Sequence, residues 1–188
     1  MTGPGGSIPY FASGANIHPG WLRRRIPGAI RIGPGELPGH RIAFHKRGRD
    51  GAGRSNAWRT GAEADRLPGV LYRVQIQELE RLGAAGAGYR AEQLLIETTA
   101  GPLTALGWCA EPAEIQDGLL PWDWYVALIR AGAALQGLPQ AHRRWLDTVP
   151  VAIDPDRARA AIALAVIERG ETRDKSSRGG DRPGVNMP

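Results

Sequence analysis

Few side chains in this sequence are spaced to do chemistry on one another. His40 and His45 lie on one candidate strand with no partner at nucleophile or metal spacing, so both read as packing residues. Cys109 is the only cysteine. That excludes a disulfide framework and argues against a thiolate zinc site. A thiol nucleophile would need a cation or helix N-terminus nearby, and the small-core reading fits a lone cysteine better. No strand, glycine-rich loop and helix follow one another as a phosphate-binding motif does. The acids Glu78 and Glu80 fall on a candidate helix and read as solvated. Glu92 and Glu97 fall on a candidate strand, five positions apart, and so face opposite sides. Between Leu82 and Tyr89 the chain reads Gly-Ala-Ala-Gly-Ala-Gly, with no acid at all.

The elements that must position these groups are short. Ile8–Ala12 is an apolar run that reads as a strand and stops at Ser13-Gly14-Ala15-Asn16, which is turn chemistry. A helical turn is expected over His18–Arg25. Strands are expected over Ala29–Ile32 and Arg41–His45, separated by Gly/Pro punctuation at Gly33–Gly39. Gly48–Gly53 reads as a connection. Gly69–Val74 is a strand rich in β-branched and aromatic residues. Ile76–Leu82 has helical spacing, and Gly83–Gly88 is expected to be a loop. Tyr89–Thr98 and Leu103–Ala110 read as strands that turn at Gly101-Pro102. Trp122–Leu135 places Trp124, Leu128 and Ala131 on one helical face and ends at Gly137-Leu138-Pro139. Gln140–Leu146 continues as a helix. Pro155–Arg169 forms another, with Asp154 as its expected cap.

Strands followed by terminal helices predict an α+β domain with a compact sheet or barrel. A chain of 188 residues with 42% apolar and 23% charged residues suits one domain with appendages. The expected boundaries are a flexible segment 1–7, a folded domain 8–150, a C-terminal helix 151–170 and a disordered tail 171–188. No apolar run approaches the roughly 20 residues that span a bilayer. No charged leader followed by an apolar stretch is visible, so the expected location is the cytoplasm. The net charge of +5 is mostly arginine, 22 of 24 cations, scattered among 19 acids. A phosphate-binding face needs clustered cations, so composition argues against nucleic acid. The densest clusters are Arg23-Arg24-Arg25 and His45-Lys46-Arg47-Gly48-Arg49.

An ordered series of motifs resembles the γ-glutamylcyclotransferase family. It begins with Tyr10-Phe11-Ala12-Ser13-Gly14-Ala15-Asn16 and His18-Pro19, similar to a signature loop whose usual form is Tyr-Gly-Ser-Asn. It continues through Arg25–Ala29, Leu37–Lys46, Gly48–Gly51 and Gly69–Tyr72. Glu78–Leu82, Leu120–Tyr125, Gly132-Ala133 and Gly137–Pro139 complete it, over roughly residues 8 to 148. The resemblance implies a small mixed β-barrel flanked by helices. It implies an intramolecular reaction in which the α-amine of a γ-glutamyl group attacks its own side-chain amide, releasing 5-oxoproline and an amine. It implies no cofactor and no metal. The substrate-contacting residues it carries over are the loop Ser13, Gly14, Ala15, Asn16, and Tyr125 on the helix; His18 stands just after the loop.

The sequence departs from that pattern at two places. The loop has lost an aromatic residue at Ser13 and a hydroxyl at Ala15, although main-chain donors survive such changes. The catalytic Glu of the family falls within Gly83, Ala84, Ala85 and Gly86, none of which accepts a proton. Glu92 is the one weak substitute. Trp108 stands near where relatives often have tyrosine; it, Trp122 and Trp124 read as packing residues. Losing a general base costs about 10²–10⁴-fold in rate. Three expectations follow. One is a pocket for a γ-glutamyl or amino-acid-like ligand, or for a protein partner, whose ordinary reaction is lost or redirected. Another is an active cyclotransferase or acyl-transfer enzyme using a substitute acid or substrate assistance. The last is a basic module binding nucleic acid or protein.

Overall fold

The computed structural model describes residues 6–178. Seven strands and five helices form it. The strands are β1 (Ser7–Ala12), β2 (Ile30–Pro38), β3 (His40–Arg47), β4 (Gly53–Arg59), β5 (Arg66–Gln75), β6 (Tyr89–Ile96) and β7 (Leu103–Ala110). The helices are α1 (Pro19–Arg23), α2 (Ile76–Ala85), α3 (Asp123–Leu135), α4 (Gln140–Asp147) and α5 (Arg157–Arg178).

Strands β2-β5-β1-β7-β6 make one five-stranded sheet, and β3-β4 make a separate ribbon. Strand β1 is central. It runs antiparallel to β5 and parallel to β7. Side chains alternate between faces along a strand, and here that splits the core in two. Tyr10, Val70, Tyr72 and Val74 pack toward α3 and α5, with Leu106 and Trp108 against the same cluster. Phe11, Leu67, Leu71 and Cys109 face the other way, toward Ile42 and Ala57 of the ribbon. Strand β5 is buried from Leu67 to Tyr72, as a strand covered on both faces must be.

The architecture is the expected mixed α+β, but the sheet is not a closed barrel. Among the described residues its edges, β2 and β6, are hydrogen-bonded to each other only through one bridge just past β6, Glu36 with Glu97, whose two N–H···O bonds are each 2.9 Å. Pro34 and Pro38 lack the N–H that a continuous ladder along β2 would need.

Other boundaries differ for identifiable reasons. Strand β2 runs through the expected punctuation, and Gly39 alone turns the chain, at φ 66°. Strand β4 occupies a stretch with no apolar alternation. Helix α2 extends through Gly83 to Ala85, where a loop was expected. Helix α5 continues past Gly170 to Arg178, into the segment expected to be disordered, and residues 179–188 lie outside the described residues, as do 1–5 of the expected flexible start.

Asp156, not Asp154, caps α5: its Oδ1 accepts the Arg159 N–H at 3.0 Å. Asp154 has a different task. It is fully buried, accepts the Trp124 indole N–H at 2.6 Å, and takes two bonds from the Arg159 guanidinium at 2.7 Å each. These bonds tie α5 to α3 and hold the carboxyl well below the usual carboxylate range.

His18 caps α1 by accepting the Trp21 N–H on Nδ1 at 3.3 Å, and its Nε2 is buried without a partner. Burial pushes its pKa down from 6.5 to about 4. Between those values the unfolded chain takes up a proton that the folded chain refuses, so stability falls as pH drops from 6.5 toward 4, by at most about 3 kcal/mol. His45 and His142, also lowered by burial, act in the same direction. We expect urea midpoints to fall between pH 7 and pH 4.5, and His18→Gln to shrink that fall without removing it.

Candidate functional site

The C-terminal end of β1 delivers Ser13–Asn16 to the rim of a cavity of about 440 Å³. The loop is held from three directions. Asn16 donates to the Tyr10 hydroxyl at 2.8 Å. The Ile17 and His18 N–H groups close onto Gly14 and Ala15 carbonyls at 3.0 and 3.1 Å. Gly14 lies so close to β4 that a Cβ there would collide with Ser55 Oγ. Its φ is −113°, outside the left-handed region, and the lack of space is sufficient reason for a glycine there. The N–H groups of Gly14, Ala15 and Asn16 have no partner among the described residues, and all three residues line the cavity.

Tyr125 enters from α3. Its hydroxyl shares a hydrogen bond with Ser55 Oγ at 2.8 Å and accepts the Ser55 N–H at 3.3 Å. The Tyr89 hydroxyl donates to the Ser55 carbonyl at 2.7 Å. Ser55 is therefore the meeting point of the loop, β6 and α3. The structure thus brings together Ser13, Gly14, Ala15, Asn16 and Tyr125 in one cavity, which Gly83 and Gly86 of the α2 end also line. Tyr10, buried beside them, is pushed up to about 12 and stays protonated.

Trp108 fills the space over the α2 end. A Cβ at Gly83 would run into its indole ring. At Gly86 a Cβ would meet only ordinary contacts, the nearest being the Leu82 carbonyl at 3.4 Å. Glu92 is not in this cavity. It sits on β6 opposite Gly107, ion-paired with Arg90. Its face is shared with Leu94 and Ile96, which join the core on the ribbon side of the sheet. His18, His40 and His45 also lie outside the lining. Burial pushes the Cys109 thiol up to about 12, so it is no nucleophile at neutral pH. Among the described residues no group of three or more His, Cys, Asp or Glu side chains is placed to hold a metal ion, and no helix is long and apolar enough to cross a membrane.

No acidic side chain is among the cavity's lining residues, whereas Arg25, Lys46, Arg49, Arg54 and Arg159 are. Sequence reasoning placed the first three in charge clusters but did not bring them to the site. Nor did it find Ser55 and Tyr89, which β4 and β6 supply. Asp50, the carboxylate that pairs with two of these cations, is already engaged. Asp50 takes Arg54 at 2.6 Å and the Trp122 indole N–H at 2.9 Å, with Arg159 at 3.5 Å. Donors on every side lower its pKa against the effect of burial, so it is a poor base. Trp122 is thus a positioning partner of Asp50, while Trp124, which donates to Asp154, forms part of the wall.

No family model matches the sequence, and no curated protein does. Solved structures match it by shape. One, described as "Gamma-glutamyl cyclotransferase", superposes with a TM-score of 0.73 at 18% identity over 87% of this chain and 99% of its own. The fold is that of γ-glutamyl cyclotransferase. An uncharacterized human protein, loc79017, gives 0.71 at 18% identity over 86% of this chain and 98% of its own. YkqA from Bacillus subtilis gives 0.63 at 21% identity, over 78% of this chain and 56% of its own. At such identities the likeness establishes the γ-glutamyl cyclotransferase fold, and the chemistry must be argued from the cavity.

Two glycines test the packing. Gly14→Ala is expected to lower stability by about 1–3 kcal/mol through overpacking against Ser55, and Ser55→Gly in the same chain should recover most of it in thermal melts. Gly83→Glu should destabilise the fold by displacing Trp108, whereas Gly86→Glu should melt near the parent temperature.

Proposed function

We propose that this chain binds a γ-glutamyl or amino-acid-like small molecule in the cavity beside Ser13–Asn16 and does not carry out ordinary 5-oxoproline formation. The single observation that carries the reading is a lining that keeps the loop donors and Tyr125 yet includes no carboxylate.

Lactam formation makes simple demands. The α-ammonium must lose a proton before its nitrogen can attack, so a base must stand beside it. The tetrahedral oxyanion needs preorganised donors. The substrate must be bent so that its amine meets its own carbonyl. The free N–H groups of Gly14, Ala15 and Asn16 suit the second demand, and the walls formed by Trp108, Tyr89 and Tyr125 suit the third. Nothing in the lining meets the first. Asp50 is bound up by Arg54 and Trp122, and Glu92 is on the other face of the sheet. The five cations also raise the energy of a neighbouring ammonium, but that effect alone does not accept its proton.

The reading is tested by following 5-oxoproline release from γ-glutamyl amines alongside thermal shifts with glutamate, glutamine and 5-oxoproline. Release no faster than buffer is expected, together with stabilisation of about 2.7 kcal/mol by a ligand at 100 times its dissociation constant. Turnover well above buffer would overturn the loss of activity. Gly86→Glu adds a carboxylate where the backbone has room, and its release rate is expected to exceed the parent's.

A further inference from the structure

A second cavity, of about 800 Å³, is lined by α4 and by residues of β2, β3, β4 and β5, and it shares no lining residue with the first. Phe44, from its wall, meets Tyr125 of the first cavity ring against ring, at 86° and 6.4 Å between centroids. The volume lies within the range of small-molecule sites, about 300–1,000 Å³. Pro68, Pro121, Pro139 and Pro150 are part of the lining. Their rings fix φ and remove the main-chain donor, which makes for a stiff wall with few polar groups. Two indoles complete it. Trp58 and Trp145 are 47% and 44% exposed, yet neighbours hold both rings. Trp145 stacks on Phe44 at 6.5 Å and on His142 at 6.3 Å, and Trp58 meets His45 at 5.9 Å.

The charges in this lining are Glu36, Arg41 and Arg66. Both cations are already matched. Arg41 binds Asp65 at 2.6 Å. Arg66 pairs with Glu97 at 3.6 Å and donates to the Glu63 carbonyl at 3.2 Å. Glu36 is half-buried, and its carboxylate has neither an ion pair nor a hydrogen bond among the described residues. Its main chain is fixed by the bridge to Glu97, so the carboxylate is anchored at the cavity. Burial lowers the pKa of His142, which therefore adds no charge at pH 7. One negative charge is left over in a cavity walled by indole, and indole faces attract cations. The first cavity has the opposite balance, cations without an acid in the lining.

We propose that this second cavity binds a small organic cation with an aromatic body, its charge balancing Glu36 and its ring packed against the indoles of Trp58 and Trp145. A protonated or quaternary arylalkylamine has that chemistry. A neutral ring gains the apolar contacts alone. An organic anion leaves Glu36 unbalanced and adds a like charge to it. The site is independent of what the first cavity binds.

The test is NMR titration of the full chain, labelled with ¹⁵N at its six tryptophans, with benzyltrimethylammonium, benzyl alcohol and phenylacetate. Trp58→Phe and Trp145→Phe identify the two indole N–H signals of the cavity. Benzyltrimethylammonium should move both saturably and leave Trp108, in the first cavity, unmoved. It should bind about tenfold or more tightly than the other two probes at low salt, and the gap should narrow at about 0.5 M NaCl. Glu36→Gln keeps the shape of a side chain that makes no bond, so it should fold, and it should weaken the cation about tenfold while sparing benzyl alcohol. Equal affinity for the cation and benzyl alcohol, or a cation affinity indifferent to Glu36→Gln, would overturn the charge selection on which the inference rests. So would tighter binding of phenylacetate. Movement confined to Trp108 would send the probe to the first cavity and remove the second site. Absence of any saturable shift at Trp58 and Trp145 would remove it too, as would signals that move with protein concentration alone, which would mark a second copy of the chain as the occupant.

Discussion

The close approach of Gly14 to Ser55 fixes the geometry on which the cavity depends. Ser55 sets its Oγ against the loop, holds the Tyr125 hydroxyl through that Oγ and its own N–H, and offers its main-chain carbonyl to Tyr89. Four pieces of chain distant in sequence are thereby set against one another. The glycine is needed because no side chain fits between the loop and β4. The central place of β1 makes the arrangement rigid, since a strand paired on both sides cannot shift its terminal loop without breaking ladders on either flank.

At the α2 end of the cavity lining a second close approach has chemical meaning. Trp108 lies over Gly83, and the space an acid at that position would need is taken by indole. The Trp108 ring and the bare Gly83 position are therefore coupled in space, though 25 positions separate them in sequence. A Lys46 ammonium donates to the Ala87 carbonyl just beyond α2, so this part of the lining bears positive charge. Burial lowers the pKa of Lys46, with Arg54, Arg47 and Arg49 adding to the effect and Glu114 opposing it, which is the electrostatic signature of an amine short of counter-ions.

Much of the fold was legible where burial imposes a simple pattern. Strands β1, β5, β6 and β7 are apolar or alternating runs, and α3 carries a clear apolar stripe. Strand β4 was not legible because its inward residue is polar. Asn56 is buried, accepting the Ala110 N–H at 2.8 Å and lying 2.9 Å from His45 Nε2, so a polar pair replaces the expected apolar alternation. The last turn of α2 was hidden by its glycine, whose helical place depends on contact with a ring from β7. The loop and Tyr125 were legible through the family likeness. The cations were visible as runs of charge, but their convergence depends on how the ribbon turn and α5 fold back, which no local pattern encodes. Glu92 was misplaced as a substitute because strand parity alone cannot say which face of a sheet holds a cavity.

The Asp154 knot gives the C-terminal helix an unexpected stake in ligand chemistry. Arg159 is at once the clasp that fastens α5 to Trp124 and a piece of the cavity wall. Whatever grips or peels that helix, a binding protein or a protease nick, also remodels the vestibule and strips one positive charge from it. That helix is thus a handle through which events at the surface reach the cavity.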